Sequence, residues 1–142
     1  MFYGPKPYSE ASEQNKEPIL GVLRKIFTEP GLILEIGSGT GQHAVHFARQ
    51  LAHLTWQPSD LGENLPGIKI WLEEADLPNI RPPLELDVTQ ECWPVDRADG
   101  IYSANTAHIM SWQEVETMFR GVGRVLVPGG CFCLYGPFNY AG

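Results

Sequence analysis

The apolar positions along the chain alternate between strand-like and helix-like patterns. Short apolar segments predict strands at Leu32–Ile36, Leu54–Gln57, Leu84–Leu86, Gly100–Ala104 and Cys131–Tyr135. Between them, apolar residues recur every three or four positions, as on one face of a helix. Regular alternation of the two patterns predicts a single α/β domain over residues 1–142. Its open, mainly parallel, Rossmann-like sheet should carry helices on both faces.

The first and last helices have recognisable ends. Pro18 suits a first helical turn, where its missing N–H costs little, so residues 1–17 are predicted to form a polar N-terminal arm. Ser111 and Glu114 match a capping box. Pro128–Gly130 is predicted to end that last helix. The first apolar stripe is Ile19, Val22, Leu23, Ile26 and Phe27, and the last is Trp112, Val115, Phe119, Val122 and Leu126.

A glycine-rich turn, Gly37–Gly41, leaves the first strand and enters a helix, which is the context in which such a turn binds a ligand. The dinucleotide pattern G-x-G-x-x-G requires a glycine where Gln42 stands. Glu35 places a carboxylate just before the turn, which disfavours a pyrophosphate and favours a cation. A nicotinamide-dependent oxidoreductase is therefore disfavoured. The sulfonium and ammonium groups of S-adenosylmethionine suit the site better.

The segment Leu34–Gly41 resembles the first motif of the class I S-adenosylmethionine-dependent methyltransferases, residue by residue. Leu126–Gly130 is similar to the Leu-x-Pro-Gly-Gly turn before the fifth strand of that family. The resemblance covers residues 32–136. It implies a transferase with S-adenosylmethionine as cofactor, held in part by Glu35, Gly37, Ser38, Gly39 and Gly41.

The same resemblance assigns roles to residues at the ends of later strands. It implies that Asp60 accepts both ribose hydroxyls, that Asp87 contacts the adenine amine, and that Val88 offers a backbone N–H to the ring. Asn105 would lie near the amino-acid end of the cofactor. Without the resemblance, Asp60 and Asp87 could simply cap the helices that follow them.

Four shorter motifs are similar to those of a widespread, poorly characterised group of methyltransferase-like proteins. They are Asn15–Leu20, Gly41–His43, Trp56–Asp60 and Tyr135–Phe138. That group often has an Arg before Asn15, where this chain has Gln14. It implies a methyltransferase fold without specifying a methyl acceptor.

Candidates for chemistry beyond the cofactor follow the fourth and fifth strands. Methyl transfer needs a base only if the acceptor loses a proton early. His108 is a candidate base, because histidine changes charge near neutral pH, and an orienting or packed histidine is the alternative. Tyr135, Asn139 and Tyr140 are candidates to line an acceptor pocket, although Tyr135 could equally belong to the core.

The other histidines do not match a metal site. His43 and His46 are three positions apart, whereas a zinc site of the H-E-x-x-H kind needs a spacing of four and an intervening Glu. No metal is expected. His43 lies near the start of its helix and could reach the cofactor pocket, while His46 and His53 are predicted to be solvated.

Composition limits which partners and which cellular location are expected for the protein. The formal net charge is −7 and Lys and Arg do not cluster, which disfavours nucleic acid. No apolar run approaches the about 20 residues of a membrane span, and the N-terminus lacks a signal-peptide pattern. Three cysteines are predicted to be buried free thiols, with Cys131 and Cys133 on one face of a strand. A cytoplasmic protein with a small-molecule acceptor is expected.

Two functional hypotheses remain. The first is an S-adenosylmethionine-dependent methyltransferase. The second is a non-catalytic protein that binds S-adenosylmethionine or S-adenosylhomocysteine. Class I methyltransferases continue past the fifth strand with a helix and two further strands, which this sequence lacks, so a truncated acceptor side is expected. The Cys131–Tyr135 edge would then be open to pairing, and homodimers could form through it.

Overall fold

The protein is described by a computed structural model that covers residues 5–104 and 110–136. Its strands are β1 (Gly31–Ile36), β2 (Leu54–Asp60), β3 (Leu84–Glu85), β4 (Ala98–Ala104) and β5 (Leu126–Tyr135). They form one parallel sheet in the order β3-β2-β1-β4-β5. The predicted Rossmann-like α/β fold is confirmed.

The strand β1 lies at the centre of the sheet. Leu34 is in register with Gln57 of β2 on one side and with Ile101 of β4 on the other. From β1 the chain builds outward through β2 to β3, then returns to the other side of β1 with β4. The strand order therefore reverses between β1 and β4. Ligands of open α/β sheets bind at such a point, beyond the carboxyl ends of the strands.

Four helices are found among the described residues: α1 (Glu10–Ile26), α2 (Gln42–Gln50), α3 (Leu65–Ala75) and α4 (Trp112–Val125). A short 3₁₀ turn, Gly62–Asn64, precedes α3. One face of the sheet packs on α1, α2 and α3 through a cluster that includes Leu23, Phe47 and Trp56. The other face packs on α4 through a cluster that includes Leu34, Ile101 and Met118. Helices thus cover both faces, as predicted.

The first helix begins at Glu10, so the predicted start at Pro18 was wrong, and residues 10–17 are helix rather than arm. Ser9 caps it, because its side chain accepts a hydrogen bond from the N–H of Ser12 at 3.1 Å. Acidic residues in the first turn complement the helix dipole. Pro18 lies inside the helix, where a proline removes one backbone hydrogen bond and is normally disfavoured.

The buried stripes differ from the predicted ones by one or two positions. Val22 is 52% exposed, and in α4 Trp112 is 59% exposed and Phe119 is 47% exposed. The buried positions of α4 are Val115, Met118, Gly121, Val122 and Val125. Met118, not Phe119, therefore faces the sheet. Both residues are apolar, so spacing alone could not distinguish them.

The helix α4 ends at Val125, and β5 begins at Leu126, earlier than predicted. Gly129 has a positive φ of 81°, and the β4–β5 register is irregular between Ala98 and Gly100. The Pro-Gly-Gly sequence is thus accommodated within the strand. Cys131 and Cys133 both pack against the cluster of α1 and α2, so they lie on one face of the strand, as predicted. They are only half-buried and Cys92 is exposed, so the expectation of buried thiols was wrong.

Candidate functional site

A cleft of about 830 Å³ lies at the carboxyl ends of the strands. Four strand ends supply most of its lining. The residues are Glu35–Thr40 at and after the end of β1, Asp60, Leu61, Glu63 and Asn64 at and after the end of β2, Leu86–Thr89 after β3, and Ala104 at the end of β4. This is where the strand order reverses. The sequence-predicted residues that the cleft brings together are Glu35, Gly37, Ser38, Gly39, Asp60, Asp87 and Val88.

The glycine turn owes its shape to three left-handed residues. Gly37, Gly39 and Gly41 have φ of 70°, 62° and 97°, a region that residues with a Cβ adopt only with strain. At Gly41 a Cβ would also lie 3.2 Å from Cβ of Trp71 and 3.3 Å from Cα of Ile68. Gly41 therefore lets α2 approach α3 closely, and it does not itself line the cleft.

Asp60 ties the end of β2 to the glycine turn. Its Oδ2 accepts a hydrogen bond from the N–H of Gly39 at 2.7 Å. Its Oδ1 accepts from the N–H of Leu61 at 2.7 Å and from Nδ2 of Asn64 at 3.0 Å. A carboxylate oxygen can accept two hydrogen bonds, so Oδ2 keeps capacity for a further donor among the described contacts. The carboxylate is fixed in the cleft wall.

Glu35 lines the cleft as an almost fully buried group. It is 2% exposed, and its Oε1 accepts from Oγ of Ser38 at 2.9 Å and from Nε1 of Trp56 at 3.0 Å. Burial raises the pKa of this carboxyl to about 7, and the nearby Asp60 adds to the rise, although the two hydrogen bonds oppose it. Glu35 therefore carries only part of a negative charge at neutral pH, and it braces the turn against β2.

Asp87 forms a local turn at the end of β3. Its Oδ1 accepts from the N–H of Thr89 at 2.9 Å and from Oγ1 of Thr89 at 2.6 Å. These hydrogen bonds lower the pKa of the Asp87 carboxyl below its usual value. Val88 is buried beside it on the cleft wall. No helix follows directly, so Asp87 does not cap one.

His43 lies at the cleft and is held on both ring nitrogens. Its Nε2 faces two acceptors, the Ser12 carbonyl at 3.0 Å and Oδ1 of Asn15 at 2.9 Å, so this nitrogen carries the proton. The hydroxyl of Tyr102 then donates to Nδ1 at 3.1 Å. Burial lowers the pKa of His43, which keeps the ring neutral. With both nitrogens occupied, His43 is a structural link and not a base.

The two remaining described histidines lie away from the cleft lining. His53 is exposed, as predicted, and its Nε2 is 2.7 Å from the Phe27 carbonyl. His46 is half-buried, contrary to prediction, with Nε2 at 3.0 Å from Oε1 of Glu17. Its position beside α1 explains the burial, since that helix extends further toward the N-terminus than expected.

Several predicted site residues lie outside the described part of the chain. These are Asn105, His108, Asn139 and Tyr140. Tyr135 is described, but it is exposed at the end of β5 and does not line the cleft. The alternative of a core tyrosine is therefore wrong, and its role in an acceptor pocket stays a prediction.

The sequence analysis missed the N-terminal contribution to the cleft. Pro7, Ser9 and Ser12 line it, as do Met110 and Glu114 near the start of α4. A capping serine followed by acidic residues at Glu10 and Glu13 is a helix-start pattern that could have placed α1 correctly. Contact with the cleft depends on how α1 packs, which local sequence does not encode.

Within residues 5–104 and 110–136, no three His, Cys, Asp or Glu side chains are grouped as they would be around a metal ion. The helices of the same residues include none with the length and apolar character needed to cross a membrane.

Several solved structures with this fold are described as methyltransferases. The chain is similar to the apo form of the S-adenosylmethionine-dependent methyltransferase SibL, with a TM-score of 0.77, 23% identity, and coverage of 87% of this chain and 36% of SibL. An O-methyltransferase family protein from Burkholderia thailandensis superposes with a TM-score of 0.73, 18% identity, and coverage of 88% and 39%. Coclaurine N-methyltransferase bound to N-methylheliamine and S-adenosylhomocysteine has a TM-score of 0.71 and 14% identity. The match covers 91% of this chain and 38% of that enzyme.

The fold is thus that of the class I methyltransferases, and the chain spans little more than a third of each of these three proteins. At such identities the similarity establishes the fold. A family model matches residues 6–142. The chain belongs to that family, which is described as "Protein of unknown function (DUF938)".

Proposed function

We propose that this chain binds S-adenosylmethionine in the cleft and transfers its methyl group to a small-molecule acceptor. The observation that carries the proposal is the bond between Oδ2 of Asp60 and the N–H of Gly39. It holds a carboxylate beside a glycine turn, at the switch point of a fold shared with methyltransferases that use this cofactor.

The described residues fit the cofactor in size and chemistry. A cleft of about 830 Å³ is within the range that holds small molecules and cofactors. Charged side chains on its described lining are acidic, as a ligand with a sulfonium and an ammonium requires. Apolar walls at Ile36, Leu86 and Val88 suit an adenine ring.

Each part of the cleft has a specific role in this proposal. Asp60 accepts a hydrogen bond from one ribose hydroxyl, using the acceptor capacity left on Oδ2. Asp87 and Val88 bind the adenine edge, and the glycine turn lets the ligand approach the backbone. Glu35 lines the cleft and positions Ser38 and Trp56. S-adenosylmethionine supplies the electrophilic methyl group, and the protein orients it and excludes water.

A second candidate is a non-catalytic protein that binds the same ligand or its demethylated product. The observation that favours it is the saturation of His43 by Tyr102, Ser12 and Asn15. That histidine lines the described cleft yet cannot take a proton without breaking a buried network. An acceptor that needs no early deprotonation would still be methylated, so the two candidates differ in turnover and not in cofactor binding.

Calorimetric titration followed by a turnover assay tests the proposal. We expect S-adenosylmethionine and S-adenosylhomocysteine to bind, while NAD does not. A panel of amines, phenols and thiols would then be screened for formation of S-adenosylhomocysteine. Binding with turnover supports the methyltransferase, and binding without turnover across the panel supports the second candidate. Absence of binding by a folded chain contradicts both.

A further inference from the structure

The N-terminal segment, defined as residues 5–15, forms one wall of the cleft. Pro7, Ser9 and Ser12 line the cleft together with Thr40 of the glycine turn. The segment is far from the turn in sequence, so the contact depends on side chains that join the two. Gln42, the residue that breaks the dinucleotide pattern, is the principal one.

Gln42 uses its whole amide group to hold this wall. Its Oε1 accepts from the N–H of Ser9 at 2.5 Å, and its Nε2 donates to the Ser9 carbonyl at 3.3 Å and to Oε2 of Glu13 at 3.1 Å. Gln42 is buried and opens α2. A glycine at this position would leave the Ser9 backbone without these partners.

The same amide also contacts the glycine turn. Oγ1 of Thr40 donates to Oε1 of Gln42 at 2.8 Å and accepts from the N–H of Gln42 at 3.2 Å. Thr40 follows Gly39, whose N–H is bonded to Asp60. Hydrogen bonds, together with the peptide bond between Gly39 and Thr40, therefore join Asp60 to Gln42 and Ser9.

Two further residues, Trp71 and His43, attach the N-terminal segment to the rest of the domain. Nε1 of Trp71 on α3 donates to the Pro7 carbonyl at 2.7 Å, and the Lys6 ammonium lies 3.7 Å from the centre of the Trp71 ring. On the other side, His43 binds Ser12 and Asn15. The segment is thus attached on both sides of Gln42.

We propose that Gln42 is a positioning residue that couples binding in the cleft to docking of the N-terminal segment. The inference rests on the proposed function, since it concerns the same cleft. Gln42 touches the turn and the segment, and it does not line the cleft itself. Because thermodynamic coupling is reciprocal, a bound ligand stabilises the docked segment and the docked segment retains the ligand.

The test compares two amide-to-alanine variants. Gln42→Ala removes the clamp on Ser9. Asn79→Ala is the matched control, because Nδ2 of Asn79 also donates to two backbone carbonyls, those of Ala48 and Leu54, at 2.9 Å each and away from the cleft lining. The measurements are amide hydrogen exchange of residues 5–15 with and without S-adenosylhomocysteine, and the dissociation rate of that ligand.

In the wild type we expect S-adenosylhomocysteine to slow exchange across residues 5–15. Gln42→Ala should abolish this protection and speed ligand dissociation about tenfold, with a smaller change in association rate. Asn79→Ala should lower thermal stability and leave both readouts unchanged. If Gln42→Ala does not fold, Trp71→Phe, which removes the bond to Pro7 and keeps an aromatic ring beside Lys6, should also speed dissociation.

The test distinguishes failure of the proposed coupling from failure of the proposed function. Ligand binding with unchanged exchange in residues 5–15, or equal dissociation rates for both alanine variants, overturns the coupling and leaves the proposed function standing. Absence of S-adenosylhomocysteine binding by the folded wild type overturns the proposed function together with this inference.

Discussion

The carboxylate of Asp60 and the backbone N–H of Gly39 are joined at 2.7 Å, although Asp60 ends β2 and Gly39 lies in the turn after β1. Parallel pairing of β1 with β2 makes this possible, because it brings their carboxyl ends to one edge of the sheet. The bond fixes both the acid and the turn.

Gly41→Ala should destabilise the protein by about 1–2 kcal/mol or more, because a Cβ is strained at φ 97° and meets α3. The matched control is Gly21→Ala in α1, where a Cβ has nothing within 4 Å. That change should stabilise the protein by about 0.5–1 kcal/mol, since alanine favours helix. Urea denaturation measures both. A loss of stability in Gly21→Ala as large as in Gly41→Ala would contradict this assignment of strain.

Glu35→Gln should change how stability depends on pH. The carboxyl has a pKa of 4.5 in its ordinary state and about 7 when folded. Between these values the folded protein keeps a proton that the unfolded chain releases, so the free energy of unfolding falls as pH rises, by about 3 kcal/mol. Gln cannot ionise, and its Oε1 can still accept from Ser38 and Trp56. The variant should therefore gain stability relative to the wild type across this interval.

Urea denaturation at acid and mildly alkaline pH measures this difference. Glu116→Gln, on an exposed position of α4, is the control and should leave the pH dependence of the wild type intact. Equal pH profiles for Glu35→Gln and the wild type would show that the Glu35 carboxyl is not the buried group described above.

The open edge of β5 is expected to mediate self-association. Within the described residues β5 is the last strand on its side of the sheet, and Tyr135 and Phe119 are exposed near it. Light scattering over a range of concentrations should record a rising mass. Tyr135→Lys should reduce it by adding charge at the edge, whereas Tyr8→Lys, an exposed tyrosine elsewhere, should not. A monodisperse wild-type monomer at high concentration would rule out this interface.

Much of the fold was predictable, because strands buried on both faces and amphipathic helices differ in hydrophobic period. The positions of Gly37–Gly41 and Asp60 followed from the same pattern, since parallel strands end at one edge. The predicted start of α1 was wrong because proline favours a first helical turn, whereas Pro18 lies inside the helix. Tertiary packing tolerates a proline that local propensity disfavours.

The state of Glu35 and the role of Gln42 were not predictable from local sequence. Burial raises the pKa of Glu35, and a hydrogen bond that opposes the rise comes from Trp56 on another strand. In the sequence, Gln42 is only a departure from a glycine pattern. Its contacts with Ser9 and Glu13 are visible only in the folded structure. Contacts between distant segments have no periodicity along the chain, so they require the folded structure.

The affinity of Asp60→Ala for S-adenosylhomocysteine tests the central claim most directly. Asp99→Ala is the matched control, because Oδ2 of Asp99 also accepts a backbone N–H, that of Leu32 at 2.8 Å, but at the opposite end of β1. With both variants shown to be folded, calorimetry should record a loss of about tenfold to a hundredfold for Asp60→Ala and wild-type affinity for Asp99→Ala. Equal affinity of both variants and the wild type would contradict the account.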